Sequence, residues 1–100
     1  MVEESFTAAA NGRVLCELYD RSGHSRTVEP YMVYESTRGK RLFHCFQIDG
    51  YSKSGKQVGW KNPEVKSFVR ATVTERHFRP RPEYNPGNAT MFPVIYFSID

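Results

Sequence analysis

Ten side chains have types and clustering suited to holding an anion: Arg26, Tyr31, His44, Gln47, Ser52, Lys53, Ser54, Lys56, Trp60 and Lys61. Most lie in Gln47-Ile-Asp-Gly-Tyr-Ser-Lys-Ser-Gly-Lys-Gln-Val-Gly-Trp-Lys61, a polar stretch with three glycines, two serines, three lysines and the only tryptophan of the chain. Glycines permit turns that free backbone N–H groups to face an anion, and lysines beside them add positive charge. In this reading the lysines neutralise phosphate, Arg26 grips it with two parallel N–H groups, and Trp60 offers a face for stacking. His44 would donate into the site beside Gln47, or else be a histidine satisfied at the rim of the barrel, and Tyr31 and Tyr51 are further stacking surfaces. The same stretch also fits a solvated hairpin with Trp60 as its anchor, and Arg26 also fits a surface ion pair with Glu29.

Other chemistry finds less support. A nucleophile needs an adjacent base oriented by a third group. Cys45 follows His44 directly, and neighbours on a strand point to opposite faces. The carboxylates are dispersed among turns and the N-terminal segment, away from the pairing that acid–base work requires. His24, His44 and His77 are too far apart in sequence for a metal-ligand spacing. The expectation is a binding module with no catalytic residues, no metal and no cofactor.

One hundred residues make one domain. With 39% hydrophobic and 14% aromatic residues the chain can build a core, because each Phe or Tyr buries a large area. Lys and Arg exceed Asp and Glu by 14 to 11, a mild excess that favours acidic partners. No apolar run approaches the roughly 20 residues of a membrane helix, and the N-terminus lacks a basic start with an apolar block. A soluble, cytoplasmic protein without membrane attachment is expected. Cys16 and Cys45 are expected as reduced thiols packed as small hydrophobes.

Residues 1–12 read as a helical or disordered lead, with a short helix over Glu3–Ala10, Phe6 as its apolar anchor and Asn11-Gly12 as its stop. Residues 13–100 read as the β domain. Arg13–Tyr19 and Arg26–Tyr34 form a hairpin about Asp20–Gly23, with Pro30 at a bulge or bend. Arg41–Ile48 is apolar on both alternating faces and is expected as the central, best-buried strand. Val65–Thr74 is a fourth strand, rich in β-branched residues. His77–Asn88, with Pro80, Pro82 and Pro86, is an extended strap. Met91–Ile99 is so apolar that it must close the sheet or pair with another subunit. The fold class is all-β, or mainly β with one short N-terminal helix: a small closed barrel or rolled antiparallel sheet of about five strands.

The order of these pieces resembles the WYL domain, particularly its short stand-alone bacterial forms. The likeness runs from about Arg13 to the C-terminus. It is carried by Arg26-Thr-Val-Glu-Pro-Tyr31, Leu42–Gln47, Gly50-Tyr-Ser-Lys-Ser-Gly55, Gly59-Trp60-Lys61, Phe78 and Arg81-Pro-Glu-Tyr-Asn-Pro-Gly87. The resemblance implies an Sm-like or SH3-like barrel that senses ligands or binds nucleic acid and nucleotides in a regulatory setting. The triplet that names the family is absent, with Arg41-Leu-Phe43 near its place. Where the family has Phe-Arg-x-Asp-Arg-Ile, this chain has Pro63-Glu-Val-Lys-Ser-Phe68, so two arginines are missing and Glu64 reverses the charge of the first. The expected partners are a nucleotide, a single-stranded nucleic acid or another anionic ligand. The alternative is a protein-interaction or oligomerisation module, with a protein partner or a second copy as in a homodimer, that presents the apolar C-terminal strand.

Overall fold

A computed structural model describes residues 1–53 and 55–100, so Ser54 lies outside the described residues. Helix α1 (Val2–Asn11) carries Glu3 and Glu4 in its first turn, where acids complement the dipole, and buries Phe6, Ala9 and Ala10. Its end differs from the expected glycine stop. Gly12 is right-handed, and the left-handed position falls on Arg13 at φ 55°. The Arg13 guanidinium donates to the carbonyls of Ala10 at 2.8 Å and Asn11 at 3.4 Å, adding side-chain donors to the backbone bonds from Gly12 N–H to Ala8 and from Arg13 N–H to Ala10.

Among the described residues six strands follow: β1 (Val14–Asp20), β2 (Ser25–Glu35), β3 (Arg41–Gly50), β4 (Gly59–Lys61), β5 (Phe68–His77) and β6 (Val94–Ser98), with a short 3-10 turn over Val65–Ser67. All pair antiparallel in one sheet of order β4-β3-β2-β1-β5, with β6 added to β2. The fold is therefore mainly β with one short N-terminal helix. The sheet is open, not the closed barrel that was one of the two expected forms: β4 and β5 end the path without meeting.

β2 explains the shape. One of its edges pairs with β3, while the other pairs with β1 from Ser25 to Val28 and with β6 from Met32 to Glu35. Pro30 sits at the handover, beside a register shift against β3 between Pro30 and Met32. A residue with no N–H fits such a bulge, as its sequence position predicts. The apolar tail joins its own sheet through β6. β2, not β3, is the best-buried strand, since every residue from Val28 to Tyr34 is buried.

Alternation on β3 divides the core. Phe43 and Cys45 join Phe6, Ala9, Cys16, Leu18, Val28, Val33 and Phe68 in one cluster, with Phe6 stacked on Phe43 at 3.9 Å. Leu42 and Phe46, on the opposite face, pack with Tyr31, Met32, Tyr34, Phe92 and Ile99, together with Trp60, Phe78 and Tyr84. The helix covers the first cluster and the proline-rich strap covers the second. Among the described residues no helix is long and apolar enough to cross a membrane.

Candidate anion cleft and the aromatic cleft beside it

Antiparallel pairing of Arg26 with Gly50 brings the start of β2 to the root of the glycine-rich loop. Arg26, Ser52, Lys53, Lys61, Asn62 and Pro63 line one shallow cleft of about 260 Å³. Three of these six residues are cationic and none is a carboxylate. Among the described residues, Arg26, Lys53 and Lys61 take part in no ion pair. Lys61 Nζ donates to Ser52 Oγ at 3.1 Å and to the Lys56 carbonyl at 2.6 Å, which ties the loop to the sheet. The Arg26 guanidinium lies 5.4 Å from the Phe68 ring centroid, held over apolar surface.

Gly50 makes this approach possible. Its φ is +105°, and a Cβ there would stand 2.5 Å from both Arg26 Cα and the Ser25 carbonyl oxygen. An L side chain at this position would both strain the backbone and push Arg26 away.

The remaining candidates are placed elsewhere. Tyr31 and Gln47 are fully buried, and Gln47 Nε2 donates to the Tyr51 carbonyl at 2.9 Å. Lys56 is exposed and approaches the cleft through its carbonyl. Tyr51 stacks on His24 at 3.9 Å. Ser54 belongs to the residues outside the description. Trp60 is half-buried and packs against Phe46, Tyr31 and His44, with the His44 ring parallel to it at 4.7 Å. Trp60 thus anchors the loop to the second core cluster, and the cation-lined cleft is built without it.

Trp60 and His44 instead line a second cleft of about 280 Å³ with Glu83, Asn85, Asn88, Met91 and Phe92. His44 is 6% exposed, and burial lowers its pKa from the ordinary value, countered in part by its bond to Asn62. Asn62 Oδ1 receives Tyr34 OH at 3.0 Å and lies 2.8 Å from His44 Nδ1. Since an amide oxygen only accepts, this pairing assigns the proton of the neutral ring to Nδ1 and leaves a lone pair on Nε2. Asn62 lines the cationic cleft and bonds to His44 of the aromatic one, so it links the two.

Sequence reasoning missed Asn62, and it missed the partner of Glu29. Glu29 is 6% exposed and accepts two bonds from Arg81, at 2.9 and 3.1 Å, and one from Tyr31 OH at 2.9 Å. The Arg81 backbone N–H donates in turn to Tyr31 OH at 2.9 Å, and its guanidinium lies 3.6 Å from the Phe46 ring centroid. Glu29 is therefore the clamp that fastens the strap, not the partner of Arg26. Arg81 is the residue of the strap motif that reaches it, and a Glu before a proline within an apolar strand was the available signal.

The two thiols are buried, and burial pushes each pKa up to about 12, so both are protonated at neutral pH. Among the described residues no three His, Cys, Asp or Glu side chains gather into a metal-sized cluster. What fold and site define is a mainly β module with a cation-lined cleft that includes Asn62 and an aromatic cleft that includes its partner His44. No protein-family model matches the chain, and searches of curated proteins and of solved structures find no match.

Proposed function

We propose that the chain is a small, non-enzymatic, WYL-like binding module for a phosphate-bearing ligand, either a nucleotide or a single-stranded nucleic acid. The reading is supported above all by the convergence of Arg26, Lys53 and Lys61 on one cleft whose lining holds no carboxylate. Unpaired cations around a concave surface raise the local anion concentration, and Arg26 adds the flat fork that fits phosphate oxygens. The resemblance of Arg26–Tyr31, Gly50–Gly55 and Gly59–Lys61 to the WYL pattern points to the same surface. With Trp60 committed to the core, affinity rests on charge and is strongly salt-dependent.

Fluorescence anisotropy with a labelled nucleotide and a labelled single strand, at about 50 and about 200 mM salt, tests this. Affinity should drop steeply with salt, and Arg26→Ala and Lys53→Ala should each weaken it at low salt. Binding that ignores salt and both substitutions overturns the reading.

A second reading is supported by β6. It pairs with β2 along one edge only among the described residues, and Val94, Ile95 and Tyr96 are 45, 41 and 45% exposed. In this reading the edge takes a strand from a protein partner or a second copy. Sedimentation at increasing concentration decides the homodimer form: a concentration-independent monomer removes it.

A further inference from the structure

The aromatic cleft has chemistry opposite to that of the cationic one. Its floor is His44, Trp60 and Phe92, its rim carries the Glu83 carboxylate, and no Lys or Arg lines it. His44 contributes the second, independent feature. More than nine-tenths of this side chain is buried, its Nδ1–H is used by Asn62, and its Nε2 has no protein partner among the described residues. The small exposed part of His44 belongs to a residue that lines the cleft. Glu83 is exposed and in no ion pair among the described residues, and the nearby Arg81 guanidinium is already held by both oxygens of Glu29.

A neutral apolar occupant would bury the Nε2 lone pair and cover Glu83 with nothing to bond them. An anion would meet a carboxylate. The site calls for N–H donors, positive charge and a flat shape that lies against aromatic rings. At about 280 Å³ the cleft falls just below the roughly 300 Å³ where pockets for whole drug-sized ligands begin, which suits a single functional group.

We infer that the cleft lined by His44, Trp60, Glu83 and Phe92 binds a guanidinium or amidinium group. Glu83 accepts its paired N–H groups, His44 Nε2 accepts a further one, and the rings cover its face. The group comes either from a free guanidino compound or from an arginine side chain of a partner peptide. Both present the same chemistry.

Trp60 is the sole tryptophan, so its single indole N–H resonance in a proton–nitrogen spectrum reports on this cleft directly. Titrating methylguanidinium should shift that resonance saturably, while methylurea, the neutral analogue of the same shape, should not. An arginine-containing tripeptide that saturates at lower concentration than methylguanidinium identifies a protein partner as the source, and equal or weaker peptide binding identifies a free compound. Glu83→Gln, at an exposed site in no ion pair among the described residues, should weaken binding about tenfold, in keeping with the loss of a charge-assisted pair. His44→Phe keeps the ring and removes the acceptor, and should weaken it too. Equal shifts with methylurea, unchanged affinity in Glu83→Gln, or no saturable shift with either guanidinium probe overturns the inference.

Discussion

The two clefts, linked by the bond between Asn62 and His44, are built in opposite ways. The cationic cleft is made of side chains on the glycine-rich loop, the end of β4 and the paired start of β2, and none of its lining residues is fully buried. The aromatic cleft is made of rings in the second core cluster and is closed by a strap fastened through Glu29 and Arg81. Charge can be displayed from mobile stems, because it acts across several ångströms. An acceptor lone pair and a ring face act only at contact distance, so they must be held by packing. The first cleft should therefore tolerate substitution structurally and lose function, while the second should lose stability and function together.

The sharpest way to break that contrast is at the clamp. Arg81→Ala leaves Glu29 buried with one remaining donor, Tyr31 OH, and should cost about 3 kcal/mol, the lower end for breaking a buried pair because Arg81 is 35% exposed. Chemical denaturation measures it. The aromatic cleft should open, seen as a shift of Trp60 emission to the red, while salt-dependent anion binding persists. If both clefts fail equally, the strap supports the whole domain and the contrast is wrong.

Gly50→Ala attacks the other side. The new Cβ meets the Arg26 backbone at 2.5 Å at a φ of +105°, and strain of this kind costs about 2 kcal/mol. Its larger consequence is local: Arg26 is displaced, and anion binding should weaken more than in Arg26→Ala, because Ser52 and Lys53 move with the loop. Trp60 emission should be nearly unchanged, since the indole is held by Phe46, Tyr31 and His44.

These two positions also show what was legible in the sequence. Gly50 and the lysines announce themselves by type, and the pairing of β2 with β3 needs only alternating apolar residues, so half of the cationic cleft could be read directly. Glu29 and Pro30 disguise the best-buried strand, because the partner that makes a buried carboxylate tolerable lies 52 residues away. Asn62 is invisible for the same reason, its partners being 28 and 18 residues distant. β4 spans three residues, too few to show a period, and by pattern is indistinguishable from the loop. Trp60 was legible as an aromatic among cations. Which way it faced depended on a strand that the pattern did not reveal.

A smaller effect separates the clefts by pH. Burial lowers the His44 pKa, so the unfolded chain binds its proton at a higher pH than the folded one does. Stability is then fully present above the ordinary histidine value near 6.5 and declines as pH falls toward the lowered folded value. Thermal unfolding between pH 7.5 and pH 5 should show this decline, and His44→Gln, which can still donate to Asn62, should flatten it. Anion binding at the cationic cleft should hold or strengthen over the same range, because its cations stay charged. A stability profile with the same slope in His44→Gln would assign the decline to another group.

The finest test uses Lys53, which is exposed and lines the cationic cleft without any ion pair among the described residues. Lys53→Ala should leave stability within about 0.5 kcal/mol of the parent protein, as surface substitutions do. It should nonetheless reduce the slope of log affinity against log salt by about 1, the signature of one lost phosphate contact. That pairing of an unchanged fold with a changed salt slope is what a charge displayed on a loop produces. If Lys53→Ala lowers stability by as much as Gly50→Ala does, the lysine is part of the loop's architecture, and the cationic cleft is held together by the same kind of packing as its aromatic neighbour.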